Sequence, residues 1–190
     1  MRADAQRNRA RLLAVAEEVF TTKGTTASTE EVARAAGVGI GTLFRHFPTK
    51  EALLEAVLVG RLERIVAEAD SLSQVDDPGE AFHTFFARVV GESGTKKALA
   101  DALAAAGVDV GRATRQSGKD LARALHKLLG RAQGSGAIRD DLGVPDLVAL
   151  LVGASRAVEQ LGADPDAQRR VISVVLNGLR PSPPGGVTAT

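Results

Sequence analysis

Cysteine is absent from all 190 residues. That excludes disulfides, thiolate zinc sites, iron–sulfur clusters and cysteine nucleophiles together, and it fits a reducing compartment. Tryptophan and tyrosine are absent too, so six phenylalanines supply the whole aromatic content of 3%. Sandwiches and barrels lean on aromatic and β-branched residues, so this poverty argues for helices. No apolar run approaches the ~20 residues of a membrane span. The apolar stretch Leu12–Phe20 is cut by Glu17 and Glu18, and no small-residue cleavage site follows. No signal peptide is read there, and the expected location is the cytoplasm. His46, His83 and His126 are too scattered to make a metal site, and neither a metal nor a cofactor is expected. A phosphate-cradling glycine loop, an HExxH pair and a nucleophile elbow are all missing. Gly37-Val38-Gly39-Ile40-Gly41 follows a helical segment rather than a strand, which rejects a dinucleotide fingerprint. An enzyme is not expected.

What is present is an ordinary globular composition, 44% hydrophobic and 25% charged, in a chain long enough to bury a core. The formal net charge of +1 is uneven. Residues 1–50 hold eight bases against five acids, a net +3, which leaves −2 for the rest. A basic first quarter on a faintly acidic body hints at a polyanionic partner at that end.

The periodicity is helical throughout. Leu12, Ala16, Val19 and Phe20 form one stripe of a helix over 6–23, ended by Gly24. Ser28 or Thr29 caps a short helix with Glu30 and Glu31 in its first turn. It stops at Gly37, and another short helix runs from about Ile40 to Phe47. Pro48-Thr49-Lys50-Glu51 restarts the chain as a long amphipathic helix to Ser71. Further helices are expected over 78–91, 96–105, 112–132, 145–161 and 165–179, the last two with proline in the first turn. The expected fold is all-α with about nine helices, and the segment from Pro181 has the composition of a disordered tail.

Helix, glycine turn and helix within about 20 residues outline a helix-turn-helix. Ala33 and Gly37 are small and four apart, which lets the helices cross closely, and Val38 and Leu43 plug the crossing. Thr42, Arg45 and His46 remain as donors on the second helix, the kind of side chains a major groove accepts. Many helical hairpins carry glycine in the turn and bind no DNA, so geometry by itself leaves both readings open. Residues 28–54, from Ser-Thr-Glu-Glu-Val-Ala through Gly-Thr-Leu-Phe-Arg-His-Phe-Pro-Thr-Lys to Leu54, closely resemble the signature of TetR-family transcriptional regulators. The resemblance is specific over about residues 8–60; beyond that it rests on length and helical pattern.

The resemblance implies a three-helix DNA-binding domain over 1–50, a helical effector-binding and dimerisation domain over 51–180, and a tail over 181–190. It implies that Thr29 and Lys50 hold phosphates. Ile40, Gly41 and Thr42 would stand at the groove-facing start of the recognition helix, with Phe44, Arg45 and His46 on its contact face. Leu43 and Phe47 match core positions. Two departures stand out: Phe44 where tyrosine is common, and Gly39 where serine is common. Each removes a hydroxyl, so a basic arm of Arg7, Arg9 and Arg11 is expected to add phosphate contacts.

In the body, the 146–161 and 171–179 segments are apolar on more than one face, and Leu147, Leu151, Val171 and Val175 are the expected interface with a second copy. Phe82, Phe85, Phe86 and Leu125 are core residues that can also line a pocket for an apolar small molecule. Arg115 and Lys119 would anchor a carboxylate if their helix turned them inward; with Arg112 and Arg123 they otherwise read as a solvated stripe. The expected function is a homodimeric repressor released from a palindromic operator in double-stranded DNA by a small molecule. A DNA-binding dimer without an effector is the alternative.

Overall fold

The computed structural model describes residues 2–162 and 164–181, with side chains from Gln6 onward. Residues 182–190, nearly all of the expected tail, lie outside the described residues. Among those described, the chain is all-helical, with ten helices and no strand. In chain order they are α1 (Arg2–Lys23), α2 (Thr29–Ala35), α3 (Ile40–His46), α4 (Lys50–Leu72) and α5 (Pro78–Gly91). Then follow α6 (Ser93–Ala105), α7 (Val110–Ala113), α8 (Arg115–Gly134), α9 (Val144–Gln160) and α10 (Pro165–Gly178).

The boundaries follow local chemistry. Asp77, Asp109 and Asp164 each cap a helix by accepting from a main-chain amide two or three residues on, and proline opens α5 and α10. The expected helix over 112–132 is two helices instead. Asp109 starts a turn at Val110, and the Thr114 hydroxyl donates to the Val110 carbonyl at 2.8 Å. A threonine that bonds back to its own helix in this way competes with continuation, and α8 begins afresh at Arg115.

Two compact units form, one from the residues up to Arg64 with Gly94–Gly118, the other from Ile65–Ser93 with the residues from Lys119 onward. The core of the first holds Leu12, Phe20, Val32, Leu43, Phe47, Leu54 and Leu58, closed by Leu99 and Leu103 of α6. The core of the second is built on Phe82, Phe85, Phe86, Leu125, Leu128, Leu147 and Leu151. The sequence expectation divided the chain at residue 50. Packing draws its line after Arg64 and gives α6 and α7 to the unit that contains α1–α3. Within the second unit α9 packs on α5 and α10.

Candidate nucleic-acid interface

α2 is fastened at its start by a reciprocal pair. The Glu31 amide donates to Ser28 Oγ at 3.2 Å, and the Ser28 amide donates to Glu31 Oε2 at 2.9 Å. Lys23 reaches the other carboxylate oxygen at 2.9 Å, tying the end of α1 to α2. The Ser28 amide, with Lys23 next in importance, lowers the Glu31 pKa to about 2.

The turn is closed by main-chain bonds. The Val38 amide donates to the Ala33 carbonyl at 3.0 Å and the Gly37 amide to Arg34 at 3.1 Å, with Gly37 at φ +65°. This is the Schellman arrangement, and it needs a left-handed residue where only glycine goes without strain. Gly39 then caps α3 with no side-chain bond to offer.

α3 divides its seven residues cleanly. Leu43 is fully buried and Phe47, just past its end, nearly so; both plug the core of the unit. Ile40, Gly41, Phe44 and Arg45 are exposed, while Thr42 and His46 are half-buried. Space beside Gly41 is open, with no atom within 4 Å of where a Cβ would be. Lys50 is half-buried at the first position of α4, one turn beyond Phe47. Thr29 is only 8% exposed, so little of it faces solvent.

Two arginines escaped the sequence reading as structural groups. Arg11 Nη2 donates to the Ala36 carbonyl at 2.6 Å, and the Arg9 guanidinium lies 4.9 Å from the centre of the Phe47 ring. Their spacing from the turn in sequence, 25 residues for Arg11 and Ala36, leaves no local signal. Glu17, also on α1, holds buried Arg61 at 2.9 Å and pairs with Arg64. All three ties join α1 to the rest of its unit.

The residues expected in the body are placed less uniformly. Phe82, Phe85, Phe86 and Leu125 meet in the second unit's core, the Phe82 and Phe86 rings stacked at 6.3 Å. Arg115 belongs to the first unit and Lys119 to the second, and both are exposed, as are Arg112 and Arg123. Leu147 and Leu151 lie in the second unit's own core, because 147, 151, 154 and 158 form the stripe α9 turns inward. Val171 and Val175 are half-buried on α10. The exposed valines of these two helices are Val148 and Val152 on α9 and Val174 on α10. Among the described residues no group of three acidic or histidine side chains is placed to hold a metal. No described helix is long and apolar enough to cross a membrane.

A short helix that keeps its apolar plugs inside and Phe44 and Arg45 outside, on a glycine turn, has the build of a helix-turn-helix. The chain matches the family of bacterial regulatory proteins of the TetR type over residues 12–57, and the C-terminal domain of SbtR-like transcriptional regulators over residues 77–181. A TetR transcription regulatory protein from Mycobacterium vanbaalenii is 40% identical over 94% of this chain and 98% of its own, with a TM-score of 0.78. The TetR transcriptional regulator SCO0520 from Streptomyces coelicolor is 34% identical over 92% of this chain and 99% of its own, with a TM-score of 0.75. The HTH-type transcriptional regulator UidR of Escherichia coli K12 is 33% identical over 44% of this chain and 40% of that protein's length. The chain belongs to the TetR family of transcriptional regulators.

Proposed function

We propose that this regulator is a homodimeric repressor that leaves a palindromic operator when an apolar small molecule binds its body. The observation that carries the reading is the division of α3, whose outward face bears Ile40, Phe44 and Arg45 while Leu43 and Phe47 are buried. Thr42, Arg45 and His46 read base edges, Ile40, Gly41 and Phe44 lie against the groove wall, and Lys50 and Thr29 hold phosphates. Residues 1–50 supply this contact, and 51–180 supply dimerisation and effector binding.

Dimerisation uses α9 and α10. Val152 and Val174 are 54% and 71% exposed, and apolar surface of that kind on adjacent helices is what a second copy covers. Val171 and Val175 flank Val174, whereas Leu147 and Leu151 support the face from beneath. A two-fold dimer presents its recognition helices to half-sites about 34–36 Å apart, or somewhat further. The effector occupies the second unit among Phe82, Phe85, Phe86 and Leu125, whereas Arg115 and Lys119, both exposed, stay with the solvated stripe. A preference for one spacing of the recognition helices by about 1–3 kcal/mol weakens operator binding by about 5- to 150-fold.

One observation favours a second reading. Phe82, Phe85 and Phe86 are all at least 98% buried in a continuous apolar core, as they would be in a body that serves dimerisation alone. The test is selection of duplexes from a random library, followed by thermal-shift screening with apolar and anionic compounds. Enrichment of an inverted repeat with concentration-dependent shifts supports the repressor with an effector. An inverted repeat without any shift leaves the effector-free dimer, and no enrichment refutes both.

A further inference from the structure

The basic residues of α1 invite the reading that they grip the DNA backbone, but two of them are turned to the helix-turn-helix itself. Arg11 Nη2 donates to the Ala36 carbonyl at 2.6 Å. Ala36 is buried and ends α2, so that carbonyl belongs to the helix terminus where partial negative charge collects. A Cβ at the next residue, Gly37, would come within 3.5 Å of the same nitrogen. The guanidinium thus lies against the turn. Two residues earlier, Arg9 covers the ring of Phe47, which closes α3. Successive basic residues of one helix meet the beginning of the turn and the end of the recognition helix.

A seven-residue helix has no stability of its own in water. Its direction is set by what holds its two ends. α3 has no side-chain cap at its start, so the turn before it and Phe47 after it carry that task. A charge-assisted bond to the end of α2 is among the stronger contacts available, and a cation on an aromatic face adds a weaker one.

We propose that Arg11, assisted by Arg9, is a positioning residue that braces the turn and so sets the angle of the recognition helix, rather than a phosphate contact. This rests on DNA binding through α3, yet its test separates from that reading. A removed phosphate contact weakens all sequences alike and flattens the salt dependence by about one unit of slope. A removed brace weakens only sequence-specific binding, leaves the slope alone, and loosens the protein before any DNA is added.

The experiment uses the full chain, a duplex that the wild type selects from a random library, and a scrambled duplex of equal length. Arg11→Met keeps the side-chain stem and removes the donor. The selected duplex should be bound about 5- to 20-fold more weakly, the scrambled one unchanged, with the salt slope within half a unit of wild type and a lower thermal midpoint for the free protein. Equal weakening of both duplexes, a slope reduced by about one, and an unchanged midpoint would overturn the proposal. Arg11→Lys covers a Met variant that does not fold. It keeps the charge but lacks the planar fork and the full reach, so specific affinity should fall with the slope intact; wild-type specific affinity would count against the brace. Should the wild type select no duplex, the DNA-binding assignment of α3 fails, and the midpoint of free Arg11→Met still decides whether the brace exists.

Discussion

Gly39 is the position where one substitution should strengthen the recognition helix. α2 and α3 are each seven residues long, but only α2 has a capping side chain, Ser28, which accepts from the Glu31 amide at 3.2 Å. Gly39 already has the extended backbone of a cap, φ −70° and ψ 147°, which any residue adopts. Nothing lies within 4 Å of where its Cβ would be. Gly39→Ser therefore meets no steric cost and gains in two ways, from the capping bond and from the loss of glycine's freedom in the unfolded chain. Together they make serine the better cap by a few tenths of a kcal/mol. That raises the thermal midpoint by about 1 °C in a chain of this size. Urea unfolding followed by circular dichroism should show a higher midpoint at unchanged slope. Gly39→Ala separates the two gains, since alanine keeps the entropic one but is among the poorest caps, and serine should exceed it by ~0.5–2 kcal/mol. A destabilised serine variant, or alanine equal to serine, would refute the reasoning.

Three further outcomes follow from the geometry. Arg45→Ala should relax discrimination at one base position by about 1–3 kcal/mol, while Lys50→Ala weakens all duplexes alike and reduces the salt slope by about one; binding titrations on single-base variants check both. Val152→Glu should give a monomer in sedimentation with its unfolding midpoint kept. Leu151→Glu should lower that midpoint, because it buries a charge in the protomer's own core. Glu31 is held at about 2, below its ordinary 4.5, so its support is present above 4.5 and is lost as pH falls from 4.5 toward 2. An acid titration of stability should therefore be shallower in that window for Glu31→Gln than for wild type.

The helices were legible in the sequence because their signals are local. Ser28 and Glu31, Gly24 and Gly37, and the aspartates before prolines act within a turn of themselves, and those boundaries were placed to within a few residues. The helix-turn-helix was legible for the same reason, being one short stretch in which small residues, plugs and polar side chains alternate. Local signals also misled once, where the expected helix over 112–132 is interrupted at Thr114.

What the sequence left open is decided by contacts between residues far apart. The α9 segment offers apolar residues all round, and nothing local says that 147 and 151 face its own core while 148 and 152 face out. Leu99 and Leu103 have the spacing of any amphipathic helix; only packing assigns them to the core that holds Leu43 and Phe47. Arg9 and Arg11 read as part of a basic arm for phosphates, and nothing local shows the ring and the carbonyl that the fold sets beside them. Periodicity determines that a helix has a buried face, since that is a property of the helix alone. Which neighbour covers the face, and which charge is engaged by the protein itself, depends on how the other helices come together, and that only the tertiary structure decided.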